Sequence, residues 1–111
     1  MKYSFTEEIY DLIDNVANAA LTGCDYWCDG VRIVGTPLKK YASEHLASGG
    51  TIEVHVPDDE KWYEVTCEQF KAALLAYVWH IYIESNWVGY LDDATAEMVL
   101  QLCCFGDVIY G

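Results

Sequence analysis

Basic residues are scarce in this 111-residue chain: six lysines and arginines stand against eighteen aspartates and glutamates, a formal net charge of −12. A field of that sign repels a phosphate backbone, so direct nucleic-acid binding is not expected, whereas a basic protein surface is attracted. Long apolar runs are also missing, and none approaches the roughly 20 residues that span a bilayer. The N-terminal MKYSFTEEIYDLID shows no basic stretch followed by an apolar one. No secretory signal is read there, and a cytoplasmic location is expected. A Gly-rich phosphate loop and a His-Glu-x-x-His pattern are both absent. With no recognisable nucleophile–base constellation, neither enzyme activity, catalytic residues nor a cofactor is expected.

What is present is a globular composition, 53% hydrophobic and 22% charged, which argues for one domain over residues 1–111. Ser4 and Glu7 have capping-box spacing. After them Phe5, Ile9, Leu12, Ile13, Val16 and Ala20 recur on one helical face until Gly23 stops the helix. Asp25 to Gly30 is turn-rich, and Val31 to Val34 reads as a short strand. Leu38 to Ala47 reads as a short helix ended by Gly49-Gly50. In TIEVHV, residues 51–56, apolar and polar residues alternate as in a half-buried strand. Pro57 to Glu60 turns, and Lys61 to Val65 pairs back as a hairpin. Thr66 and Gln69 open a helix from Cys67 to Glu84 bearing Phe70, Leu74, Tyr77, Val78 and Ile81, apolar on several sides. It is therefore either central or covered by another chain. Ser85 to Gly89 breaks the chain. Asp92 or Asp93 caps a last helix with Ala96, Val99, Leu100 and Cys103 on one face, and Asp107 to Tyr110 reads as an edge strand. The expected class is α+β: three main helices and a short one packed with a small, mainly antiparallel sheet containing a 51–65 hairpin.

The stretches ALTGCDYWCDGVRIVG, YASEHLASGGTIEVH, EVTCEQFKAALLAY and LQLCCFGDVIYG together resemble a group of small proteins encoded in phages, prophages and mobile elements of gut Firmicutes. Its members carry Tyr-Trp-Cys after a helix, Gly-Gly before a strand and Phe-Gly near the C-terminus. The resemblance covers most of the chain and implies a common fold. It brings no activity and no site residues. Its genetic context implies an accessory role, often counter-defence against the host. Gly23-Cys24 stands where the group often has Gly-Gly, so Cys24 is not a requirement of the group.

Five cysteines invite three readings. Cys24 and Cys28, with Cys103, Cys104, His45 and His55, are potential zinc ligands. They lack a matched second C-x₂₋₄-C pair, so no metal site is expected. An odd count in a reducing compartment argues for buried free thiols over disulfides. Cys67 follows the cap Thr66 and would feel a helix dipole, with His55 or Lys71 within reach. Glu64 and Glu68 oppose a thiolate there, so a packed cysteine is expected.

Two surfaces remain. Asp58, Asp59, Glu60, Glu64 and Glu68, with Trp62 as an anchor, form an acidic face suited to a host protein with a basic, nucleic-acid-facing surface. The expected role is a non-enzymatic inhibitor of a host defence factor. The alternative is an oligomeric sponge for a nucleotide-derived immune signal, contacted by Tyr26, Trp27, Arg32 and Lys40. A third reading is a phage regulatory or assembly protein that forms a homo-oligomer through helix 67–84.

Overall fold

A computed structural model describes residues 5–85 and 93–110, with side chains over 9–76 and 96–110. Along the chain run α1 (Phe5–Gly23), β1 (Gly30–Val34), α2 (Ala42–Ala47) and β2 (Thr51–Val56). A 3-10 turn (Pro57–Asp59), β3 (Lys61–Thr66), α3 (Cys67–Ser85) and α4 (Asp93–Phe105) follow. The strands form one antiparallel sheet in the order β1-β2-β3, and with the helices they make an α+β fold.

The alternation in β2 decides the layers. Ile52, Val54 and Val56 are each 0% exposed and face a core built from Ile13, Val16 and Ala20 of α1, Phe70 and Leu74 of α3, and Val99 and Leu100 of α4. Burying each of those strand side chains stabilises the fold by about 1.5–3 kcal/mol. The helices thus cover one sheet face, with α1 packed on both α4 and α2. At the start of α3, Gln69 N–H donates to Thr66 Oγ1 and Thr66 N–H donates to Gln69 Oε1, each at 3.1 Å. This reciprocal pair is the expected capping box. The Ser4–Glu7 pair, the face residue Phe5, the rings of Tyr77, Trp79 and Tyr82, the α3 face at Val78 and Ile81, and Trp87, Tyr90 and Asp92 lie outside the described residues or side chains.

Three sequence expectations are corrected. The short helix begins at Ala42, four residues later than read, and residues 35–41 are irregular. Leu38 N–H donates to His45 Nδ1 at 3.1 Å, which holds the segment as a loop laid over the helix. Asp107 to Tyr110 do not form an edge strand. Buried Gln101 captures them instead: its Oε1 accepts from Ile109 N–H at 2.9 Å and Tyr110 N–H at 2.8 Å, and its Nε2 donates to Tyr110 O at 2.9 Å. One carboxamide thus supplies the backbone partners that a neighbouring strand would have supplied. Lastly, Cys24 and Cys28 are joined in a disulfide across the corner between α1 and β1, with Cα atoms 5.6 Å apart, so they are not free thiols. The corner brings the two residues within bridging range, which composition alone does not reveal.

His45 explains the Gly-Gly that follows it. With Nδ1 accepting from Leu38, Nε2 carries the proton and donates to Thr51 O at 3.1 Å, so the ring ties the loop to the start of β2. A Cβ on Gly50 would lie within 2.3–2.6 Å of that ring, and Gly49 sits at φ +100, which only glycine adopts without strain. Gly50→Ala is expected to expel the imidazole, leave both backbone groups unpaired and destabilise the protein by about 1–3 kcal/mol, read as a lower urea midpoint at unchanged slope.

Candidate functional site

The sheet face turned away from the helices carries the chemistry. Strand register places Arg32 opposite Glu53 and His55 opposite Trp62, with Glu64 beside Glu53 on β3. The Arg32 guanidinium lies 3.9 Å from the Trp62 ring centroid, while its Nε donates to Glu53 Oε1 at 2.9 Å. His55 packs against the same indole at a centroid distance of 5.0 Å, and its Nδ1 bonds to an Asp29 carboxylate oxygen. Gly30 makes room for the ring, because a Cβ there would sit 3.2 Å from Trp62 Cη2. The product is a half-buried tryptophan plated by an arginine and edged by carboxylates. Trp and Arg are the residues that dominate protein interfaces.

The acidic residues expected to act with Trp62 lie along β3 and at its two ends. Asp58, Asp59 and Glu60 are exposed at the hairpin turn, Glu64 is exposed on the strand, and Glu68 is exposed in the first turn of α3. Six strand residues span about 20 Å, so these carboxylates form a strip rather than one cluster. Two of them also serve the fold. Tyr63 Oη donates to Asp59 Oδ2 at 2.7 Å, and Tyr110 Oη donates to Asp58 Oδ2 at 3.4 Å. Among the described residues, no hydrogen bond or ion pair holds the side chains of Glu60 or Glu64.

The four residues of the alternative ligand site are not gathered. Trp27 is 2% exposed, stacked on Tyr110 at 5.9 Å and set edge-on to Phe105 at 5.7 Å. It is a core residue, and the reading of it as an open platform is corrected on that ground. Tyr26 is 54% exposed and donates to Glu97 Oε2 at 2.8 Å, tying the corner to α4. Partial desolvation of the hydroxyl and the Glu97 bond hold its phenol above the usual range. Arg32 belongs to the Trp62 cluster, and the Lys40 ammonium lies over the neighbouring Tyr41 ring at 5.3 Å.

The candidate metal and thiol residues are otherwise engaged. Cys24 and Cys28 are consumed by the disulfide, and both His45 nitrogens serve backbone groups. Burial pushes the Cys103 and Cys104 thiols up to about 12. Burial also raises Cys67; a bond to the Gly49 backbone and the Lys71 ammonium oppose this, and Glu68 reinforces it. Among the described residues, no three His, Cys, Asp or Glu side chains are placed to hold a metal ion. No described helix is long and apolar enough to cross a membrane.

Sequence reasoning named Trp62 and Arg32 but assigned them to different sites, and it missed Glu53 and Asp29. The signal was available in strand parity: once β2 buries its even-numbered residues, Glu53 and His55 must share the outer face. Comparison with protein-family models, curated proteins and solved structures finds no match for this chain.

Two outcomes test this geometry. The hydrogen bond to Asp59 pushes Tyr63 up to about 12. A phenol held protonated in the folded state above its unfolded value of 10.0 supports the fold below pH 10 and loses that support as pH rises toward 12. A tyrosinate absorbance titration is expected to contain a late component from Tyr63 that Tyr63→Phe removes and that Asp59→Asn moves down toward the ordinary value. Separately, thiol labelling of the denatured, unreduced chain should count three reactive cysteines, Cys67, Cys103 and Cys104, rising to five after reduction.

Proposed function

We propose that this chain is a phage or mobile-element accessory protein acting in the bacterial host cytoplasm. It inhibits a host defence factor, without catalysis, by covering that factor's basic, nucleic-acid-facing surface. The observation that carries this reading is the strip of exposed carboxylates along β3, from Asp58, Asp59 and Glu60 through Glu64 to Glu68, running beside the Arg32–Trp62 pair. A strip about 20 Å long matches a run of phosphates in sign and extent, and a charge of −12 steers it toward a cationic groove. Trp62, braced rather than free, supplies apolar area at the strip's side at low entropic cost. The resemblance to mobile-element proteins supports the choice of a host factor as target.

The test is binding of the purified protein to a panel of host nucleases and other basic nucleic-acid-binding proteins in rising salt. A cognate complex should associate at least about tenfold more slowly at high salt than at low salt. The double variant Glu60→Lys with Glu64→Lys should slow it similarly while leaving thermal stability nearly unchanged, because neither side chain has a folding partner among the described residues. Affinity indifferent to salt and to these substitutions would remove the electrostatic reading.

A further inference from the structure

A concavity lies where α1 meets the start of α2. It encloses about 280 Å³ and is lined by Asp14, Asn15, Asn18, Tyr41, Ser43 and Glu44. The spacing on α1 builds one wall, since positions 14, 15 and 18 fall within one helical turn and share a side of the helix. The other wall is Tyr41, Ser43 and Glu44, whose backbone is held because Tyr41 N–H donates to Glu44 Oε1 at 3.3 Å.

Three features single this cleft out. Ser43 lines the cleft with only 6% of its surface exposed, and its hydroxyl has no hydrogen-bond partner among the described residues. The side chains of Asp14, Asn15 and Asn18 likewise make no hydrogen bond among the described residues. Tyr41, by contrast, is 60% exposed, an unusual position for a ring at the mouth of a polar cleft.

We propose that this cleft binds the guanidinium of an arginine side chain presented by a basic partner segment. Two carboxylates and no cationic side chain line it, so its charge complements a positive group. Asp14 supplies the paired oxygens that a planar guanidinium engages in parallel, Glu44 adds negative charge from the facing wall, and the carboxamide oxygens of Asn15 and Asn18 and Ser43 Oγ accept its remaining N–H donors. The Tyr41 ring provides the cation-stacking surface, and the chain's own Lys40 ammonium, 5.3 Å from that ring, already uses it so. A divalent cation fits less well: only two of the lining groups are carboxylates, and no described group of three metal-binding side chains is placed to hold one. The site is separate from the β3 strip, and either can fail alone.

The experiment is a titration of the ¹⁵N-labelled full chain with N-acetyl-arginine amide, followed through backbone and Asn side-chain amide resonances. Saturable shifts at Asn15, Asn18, Tyr41, Ser43 and Glu44 are expected, with little response to the neutral citrulline analogue. Asp14→Asn should weaken binding roughly tenfold, and Tyr41→Ala roughly threefold, with the spectrum of each variant reporting that it is folded. Citrulline binding as tightly as arginine, lining resonances that do not move, or saturation by calcium or a methyl glycoside in place of arginine would each overturn the assignment.

Discussion

Burial of Ile52, Val54 and Val56 on one side of β2 obliges Thr51, Glu53 and His55 to the other, because side chains alternate strictly along a strand. A slip of one residue would drive Glu53 and His55 into the helical layer, at a desolvation cost that the loss of three apolar contacts compounds. Register is therefore held by the core, and the outer face inherits it. Arg32 meets Glu53, and Trp62 meets His55, only because the strands flanking β2 are locked by the same burial. The polar arrangement on the open face thus follows from an apolar constraint on the closed one.

A second constraint closes the far end of the molecule. Trp27 fills the corner after α1 and is reached there by Phe105 from the end of α4 and by Tyr110 from the tail. Phe105 also packs edge-on to Tyr63, so the corner, α4 and β3 share one aromatic cluster. Gln101 fixes the tail's backbone, and Asp58 and Asp59 receive the two tyrosine hydroxyls. The Tyr-Trp-Cys and Phe-Gly stretches, 78 residues apart from Trp27 to Phe105, are thereby contact partners in one packing unit.

The few cations are spent within the fold. Arg32 lies on Trp62, Lys40 over Tyr41 and Lys61 over Tyr63, so three of the six basic side chains face the chain's own rings. Arg32 is further neutralised by Glu53. These contacts leave the net charge at −12 but fix where three of the positive charges sit. Both proposed surfaces, the β3 strip and the α1–α2 cleft, draw on that imbalance, one through long-range steering and the other through a confined pair of carboxylates.

Local patterns were enough to read the helices at 5–23 and 67–85, the capping box at Thr66 and the hairpin, because burial period and cap chemistry are properties of adjacent residues. They also sufficed for the acidic balance and for the turn chemistry around Gly49-Gly50. What neighbours in sequence cannot encode is which distant groups compete for a residue. Trp27 reads equally as platform or core until Phe105 and Tyr110 arrive to cover it, and residues 107–110 read as a strand until Gln101 supplies the bonds. Likewise Cys24 and Cys28 read as free thiols until the corner closes, and Arg32 and Trp62 belong to separate sites until register sets them face to face. The α1–α2 cleft has no sequence signature at all, since its walls come from two helices whose approach is decided by packing. Pattern alone determined the main helices, the hairpin and the sign of the surface; only tertiary packing determined where the short helix begins, what the tail does and which side chains were left free to bind, because those depend on long-range partners.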